Sequence, residues 1–536
     1  MAFFDELARI VGDSNVCKDA GTIERLARST GPRQTTPVGV ARPAKREEVQ
    51  AIVRLAGQFH IPLFPISSGK NWGYGDACAP TDGNLILDLS RMNRIIEVNP
   101  DLAYTVVEPG VTQGQLFDFL EDNHLPLMMD VTGAGRSASI IGNLLERGSG
   151  HTPYGDHFAT SCNYEIVMAD GSVIQTGFGP YRNSQAQHVY KWGVGPSLDG
   201  LFSQSNVGIV TRATIWLMPK PEKFVMFIAT LKTKDGIGPL FEAIRRLRLA
   251  GTLRSTLHCF NDRRLLGSAT GFPWDRASGE QALELEHPDL FRQMCKEYGV
   301  PAWAATGSLQ GSAVEVAASR KAVRHELKDV PGLDRLLFIG DGTFAFTQTL
   351  ARSLRRIAPT SLLLRRLESI KLGRDMLLGR PSDATLKGSH WRARIQPTDS
   401  VDPLDTKSGL AWISPILPMT AAAIAEVSRL SEQTFHKHGF EYQATITSIT
   451  DRALIAVQSI SFDRSSETET MRAGRCQEEL VQTLLDHGYV PYRGPSSIMR
   501  QVWAAAPIYW QTLAALKHTW DPAGIVAPGR YIDQPT

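Results

Sequence analysis

The spacing of apolar positions divides the chain into stretches of different period. Residues 1–31 read as helix, with a loop around residues 12–16. Residues 38–41 form a short apolar run, and Arg46–Phe59 sets Val49, Ile52, Val53 and Ala56 on one helical face. Leu63–Ile66 is the next strand, so a β-α-β unit leads into the segment that follows. Pro62 and Pro65 place that strand at a sheet edge. Residues 85–89, 95–98 and 104–107 read as strands, residues 112–123 as a helix that Thr112 can cap, and a further helix starts near Ile140. Residues 164–168 and 172–176 flank Ala169-Asp170-Gly171, a hairpin turn. Residues 207–218 form a strand that Pro219-Lys220-Pro221 ends.

From residue 223 strands alternate with long helices. The strands are 224–231, 255–260, 336–339, 410–414, 442–446 and 454–462, and the helices are 236–249, 312–329, 420–438 and 467–487. Residues between about 340 and 408 read as irregular. This order fits helices packed on one face of an antiparallel sheet, an α+β arrangement. Residues 489–493, a helix over 498–517 and the segment to Arg530 return to the first unit. The expected partition is 1–222, 223–487 and 488–536, with no internal repeat and no low-complexity segment.

Composition narrows the class without naming a reaction. With 536 residues, 42% hydrophobic, 21% charged and a net charge of +2, the chain reads as an ordinary soluble enzyme with no pull toward nucleic acid or anionic membrane. Arg352, Arg355, Arg356, Arg365 and Arg366 are interleaved with leucines and read as solvated helix faces. The six cysteines have no CxxC spacing, which argues against zinc or a disulfide scaffold. An acidic N-terminus and the lack of a long apolar run point to a cytoplasmic protein.

Two glycine-rich stretches carry the chemistry. Pro65-Ile66-Ser67-Ser68-Gly69-Lys70-Asn71-Trp72-Gly73-Tyr74-Gly75 follows a strand, and its backbone N–H groups suit diphosphate oxygens. Gly133-Ala134-Gly135 begins the second, which runs through Gly142-Asn143 to Gly148-Ser149-Gly150-His151 and Gly155-Asp156-His157 and opens a helix whose free N–H groups suit a phosphate. No G-x-G-x-x-G opens a β-α-β unit, which disfavours an NAD-type Rossmann fold.

"GKNWGYG", "GNLLERGSGHTPYGDH", "LFSQSNVGIVT" and "DPAGIVAPGR", in this order, resemble the FAD-dependent vanillyl-alcohol oxidase and p-cresol methylhydroxylase family. The likeness covers Pro37 to about Pro219 and resumes near Trp412. It implies a split FAD-binding domain of that type and a ferredoxin-like cap domain carrying an antiparallel sheet. The matched positions imply FAD contacts from Ser68, Gly69, Lys70, Asn71, Gly73, Gly142, Asn143, Arg147, Gly148, Gly155 and Ile209.

In members that oxidise para-substituted phenols, two tyrosines and an arginine hold the phenol oxygen. The matching residues are Tyr74, Tyr492 and Arg493, with Arg530 as a further positive charge. Such a triad would stabilise a phenolate and ease hydride loss from the para side-chain carbon to flavin N5, by way of a quinone methide.

The chain departs from the family in three places. Residues 391–411 contain no His, Cys or Tyr to link a flavin, and His390 lies just outside, so non-covalent FAD is expected. Only Asp130 stands beside the stretch where oxidases place an aspartate. The cap histidine pair is replaced by Asp451-Arg452, leaving Asp451 as the candidate base. The resemblance further implies a small aromatic substrate, oxygen or an electron-transfer protein as acceptor, and a homodimer. A same-fold enzyme of a non-phenolic alcohol or amine, and a non-catalytic ligand-binding protein, stay open.

Overall fold

A computed structural model describes residues 2–32, 34–358, 361–398 and 401–532. Gly39–Ala41 and Leu63–Ile66 both pair in parallel with Leu85–Asp88, which lies between them. Helix Arg46–Phe59 crosses between the first two, burying Val49, Ile52, Val53, Leu55 and Ala56. Leu63–Ile66 is the edge strand of its sheet, as its prolines require. Its free side receives the far end of the chain: Leu63 N donates to Ile525 O, and Ala527 N donates to Leu63 O, both at 2.7 Å.

The expected N-terminal helix is in fact two, Ala2–Val11 and Ala20–Ala27, separated by the strand Val16–Cys17 that pairs with Gly39–Ala41. A second, antiparallel sheet orders Ile95–Asn99, Tyr104–Val107, Ile209–Trp216, Ser161–Val167 and Val173–Gln175. The hairpin at Ala169-Asp170-Gly171 forms, with Gly171 at φ 78°. Thr112 caps Gln113–Asp122 through the Gln115 amide.

The third sheet has eight strands, all antiparallel, in the order Leu333–Ile339, Lys223–Leu231, Trp303–Gly311, His258–Asn261, Gln443–Ser448, Ala453–Asp463 and Ser408–Ile413, with Ile416–Pro418 also on Ala453–Asp463. One face packs on helices Ile237–Leu249, Ala313–Leu327, Ala421–Lys437 and Glu467–Asp486 in the largest core cluster. The other face roofs a cavity. Side chains alternate accordingly, with Phe227, Ala229 and Leu231 in the core and Met226, Ile228 and Thr230 toward the cavity.

The stretch expected to be irregular carries two helices, Asp341–Ile357 and Leu362–Leu377. The expected helix over 498–517 is two, Met499–Ala505 and Pro507–Trp520. Pro507 lacks an N–H and forces Ala506 out of helical geometry, at φ −145° and ψ 62°. Of the basic run, Arg355 pairs with Glu368 at the surface, while Arg365 and Arg366 lie at the cavity's outer rim. Among the described residues no disulfide forms, and no helix is long and apolar enough to cross a membrane.

Candidate active site

A cavity of about 1280 Å³ runs from the two glycine-rich stretches to the open face of the eight-stranded sheet. The first stretch is held from behind. Buried Asp76 accepts hydrogen bonds from Ser29 Oγ (2.9 Å), Thr30 N (2.7 Å) and Thr30 Oγ1 (2.8 Å), and the Gly73 amide donates to Thr30 Oγ1 at 2.8 Å. Gly73 sits at φ +72° against Trp412, where a Cβ would come within 2.2 Å of the indole. These contacts turn the loop so that the backbone amides of Ser68, Gly69, Lys70 and Asn71 find no acceptor among the described residues. The indole N–H of buried Trp72 is likewise unpartnered.

The second stretch abuts the first. Ser139 N donates to Ser68 Oγ at 3.1 Å, and Gly142 packs against Ser67 with no room for a side chain to spare, a Cβ there falling 3.3 Å from it. Free amides, close-packed glycines and an orphaned indole N–H lining a cavity of this size fit a diphosphate-bearing dinucleotide such as FAD.

Of the expected cofactor contacts, Ser68, Gly69, Lys70, Asn71, Gly142, Asn143 and Ile209 line this cavity, while Gly73, Arg147, Gly148 and Gly155 do not. Lys70 is paired with Asp402 rather than standing free. Gly148 makes room for the Asn143 amide, 2.1 Å from its hypothetical Cβ, and Gly155 lies under Thr256. Arg147 donates to Ser203 Oγ at 3.0 Å behind the cavity wall. Asn143 Oδ1 meets His157 Nδ1 at 2.6 Å, and His157 Nε2 meets Asp130 at 2.8 Å. Asp130 also accepts the His151 and Thr152 amides, so it braces the second stretch from outside the cavity.

Beside these stretches Tyr74, Tyr492, Arg493 and Arg530 line the same cavity. Tyr492 is delivered by the segment whose amide donates to Ser414 O at 3.1 Å. Tyr74 Oη lies 2.8 Å from Ser414 Oγ. The Arg493 guanidinium stacks on the Tyr74 ring, 3.8 Å from its centroid, and donates to Asn71 Oδ1 at 3.2 Å. Its Nε is buried without a partner, and no carboxylate touches it among the described residues. Burial pushes the Tyr74 phenol up, and Arg493 opposes that shift.

Arg530 does not add free charge, because Glu146 takes it in a two-pronged pair at 2.8 and 2.9 Å, with Tyr531 Oη donating to the same carboxylate. Burial would push Glu146 up, but Arg530, Arg493 and its hydrogen bonds hold it below the usual carboxylate range.

Asp451 is not brought here. It lies in the turn between Gln443–Ser448 and Ala453–Asp463, half exposed and paired with Arg248 at 3.2 Å, because the antiparallel register carries that turn beyond the sheet edge. Two residues that the sequence reading did not single out take the inner place. His151 and His258 line the cavity with ring centroids 4.2 Å apart. His258 is fixed by Thr447 Oγ1 at 3.0 Å and Gly150 O at 3.1 Å. The His151 ring has no hydrogen-bond partner among the described residues. Burial pushes His151 down to about 4, with Asp130 opposing, and drives His258 well below its ordinary value, so both are neutral at pH 7. The only trace in sequence was the histidine directly after Gly148-Ser149-Gly150.

Comparison with known proteins agrees with this geometry. Residues 37–177 match the FAD binding domain family. The chain is 34% identical over 528 residues to 1'-carboxy-chondrochloren decarboxylase of Chondromyces crocatus, covering 97% of this chain and 95% of that one. It is 30% identical over 527 residues to the 4-cresol dehydrogenase [hydroxylating] flavoprotein subunit of Pseudomonas putida, covering 97% and 93%. Substrate-bound p-cresol methylhydroxylase superposes with a TM-score of 0.88 at 28% identity over 99% of this chain and 96% of that one. 4-Ethylphenol oxidase from Gulosibacter chungangensis gives 0.88 at 26% identity over 100% and 97%. Full-length relatives at this identity, together with the paired glycine-rich stretches, show that the chain belongs to the vanillyl-alcohol oxidase and p-cresol methylhydroxylase family of FAD-dependent oxidoreductases.

Proposed function

We propose that the protein removes a hydride from the para side-chain carbon of a phenolic substrate. The observation that carries this reading is Arg493, a buried guanidinium with an orphaned Nε, stacked on Tyr74 and adjoining Tyr492. An oxygen placed among these three groups would be held as phenolate, since a cation and two hydroxyl donors favour its charged form. A phenolate delivers electron density to the para carbon, and the oxidised product is a quinone methide. Glu146 holds Arg530 and, through Coulombic attraction, favours the charged state of Arg493. His151, neutral and unpartnered, is the proton acceptor nearest in kind to what the reaction needs.

Residues 1–222 and 488–536 would hold FAD, and 223–487 would cap the substrate. The free amides of Ser68 to Asn71 and the Gly142-Asn143 turn would hold FAD, which supplies the hydride acceptor when bound. The attachment is non-covalent in this reading. His390, the nearest expected linker, is buried with Nδ1 on Ser408 Oγ at 2.5 Å and lies outside the cavity lining. Oxygen or an electron-transfer protein would take the electrons on. The two full-length relatives are named for different outcomes, hydroxylating and decarboxylating. Hydride removal is the step that either outcome can follow.

Anaerobic titration of the yellow protein with 4-ethylphenol tests this. Bleaching of the flavin band supports the reading, and an unchanged spectrum with every para-substituted phenol tried, 3-(4-hydroxyphenyl)propionate included, overturns it in favour of a non-phenolic alcohol or amine.

A further inference from the structure

The cavity holds a second cation that phenol binding does not use. Arg264 lies in the first turns of helix Asp262–Ala269, immediately after strand His258–Asn261, and lines the cavity with its guanidinium over Trp412. Its sole hydrogen bond among the described residues is a long one, 3.4 Å from Nη1 to Ser459 Oγ. Beyond that it rests 5.1 Å from the Trp412 ring centroid.

No carboxylate pairs with it among the described residues: of the acids lining the cavity, Glu146 pairs with Arg530, Asp334 with Lys232 and Glu368 with Arg355, and Asp76, whose Oδ1 is itself unpartnered, makes no ion pair with Arg264. Arg263, the neighbour in sequence, shows the contrast: it turns away and is held by Asp262, Glu284 and Glu432. Burial alone pushes the Arg264 guanidinium down to about 10, with no acidic group to counter it. An isolated buried cation is costly and is ordinarily paired. A ligand that brings the missing anion removes that cost.

Position narrows the ligand. Trp412 packs closely on Gly73, the residue before Tyr74, and its ring also carries the Arg264 guanidinium. Arg264 and the loop that carries Tyr74 therefore contact the same indole. We propose that Arg264 binds a carboxylate carried on the para side chain of the substrate, so that the enzyme acts on a hydroxyaryl carboxylate rather than on a plain alkylphenol. The proposal rests on reading the Tyr74–Arg493 end as the phenol site, and it adds a second anchor.

Binding to the holoprotein, followed by calorimetry and by quenching of tryptophan fluorescence, tests it. The probes are 3-(4-hydroxyphenyl)propionate, its primary amide, 4-propylphenol and 3-phenylpropionate. The wild type should hold 3-(4-hydroxyphenyl)propionate roughly 30-fold tighter than the amide, the range of one charge-assisted contact. Arg264→Met should lose that preference while 4-propylphenol binds within about twofold of wild type, and Arg264→Lys should restore part of it.

Equal affinity for acid and amide in the wild type, or an unchanged preference in Arg264→Met, overturns the proposal. If 3-phenylpropionate binds in an Arg264-dependent way while 4-propylphenol does not bind at all, the carboxylate anchor stands and the phenol reading fails. Arg264→Met should leave the melting temperature unchanged or raise it, because it removes an unpaired, partly buried charge. A fall in melting temperature that Arg264→Lys repairs without any change in ligand preference would mark a structural role and sink the proposal.

Discussion

The Arg493 guanidinium lies over Tyr74, 3.8 Å from its ring centroid, and donates to Asn71 Oδ1 at 3.2 Å. The tyrosine thus orients the cation while its own hydroxyl is steered by Ser414. Arg493→Met should lower kcat/KM for 4-ethylphenol about 100-fold, as loss of a buried group stabilising developing charge does. Tyr74→Phe keeps the stacking surface and should cost about tenfold. Stopped-flow flavin reduction measures both, and the ultraviolet phenolate band of bound substrate should weaken in each.

His151 gives a pH dependence with a defined sign. Burial holds its folded-state value near 4, below the ordinary value of 6.5, so the imidazole stays an available proton acceptor until the pH falls toward 4. The acid limb of kcat/KM should bend there and disappear in His151→Asn, whose rate should fall roughly 100-fold.

The same two histidines bear on stability. Between pH 6.5 and 4 the unfolded chain binds protons that the folded imidazoles refuse, so stability is full above 6.5 and is lost as the pH falls through this window. Urea midpoints at pH 7 and pH 5 should differ less for His151→Asn than for the wild type.

Gly73→Ala would place a methyl 2.2 Å from Trp412 at a left-handed φ of +72°. A loss of about 2–4 kcal/mol in unfolding free energy is expected, with weakened retention of FAD on desalting.

Acid precipitation should release the flavin into the supernatant, for wild type and His390→Ala alike. Colour retained in the wild-type pellet and lost from the variant would make His390 a linker after all.

The parts of the site legible in sequence were those with local causes. Glycines at positive φ, Thr112 at a helix start, prolines in an edge strand and the hairpin at Gly171 all act within a few residues. What escaped depends on distant partners. Strand Trp303–Gly311 sits near the middle of the largest sheet, yet its Ala304, Thr306 and Ser308 show no apolar alternation. One face meets the cavity, and on the other Gly307 yields space to the Phe227 ring, 2.8 Å from its hypothetical Cβ. The His151–His258 pair joins a loop of the nucleotide end to a strand of the roof, and Arg264 differs from Arg263 only in which side of a helix it leaves. Asp451 was misplaced for the same reason, since register rather than composition decides where a turn projects.

The pairing of Ile525–Ala527 on Leu63 has a bearing on biosynthesis. About 460 residues separate the two partners. At roughly 5–20 residues per second, the edge of Leu63–Ile66 waits on the order of half a minute to a minute and a half for its cover. During that interval the nascent sheet presents an open strand in a crowded setting. Pro65, two residues beyond Leu63 and so facing the same open side, withholds one of the donors that another chain would need there, and the proline that shortens the ladder in the finished enzyme thus guards it against edge-to-edge association while synthesis is under way.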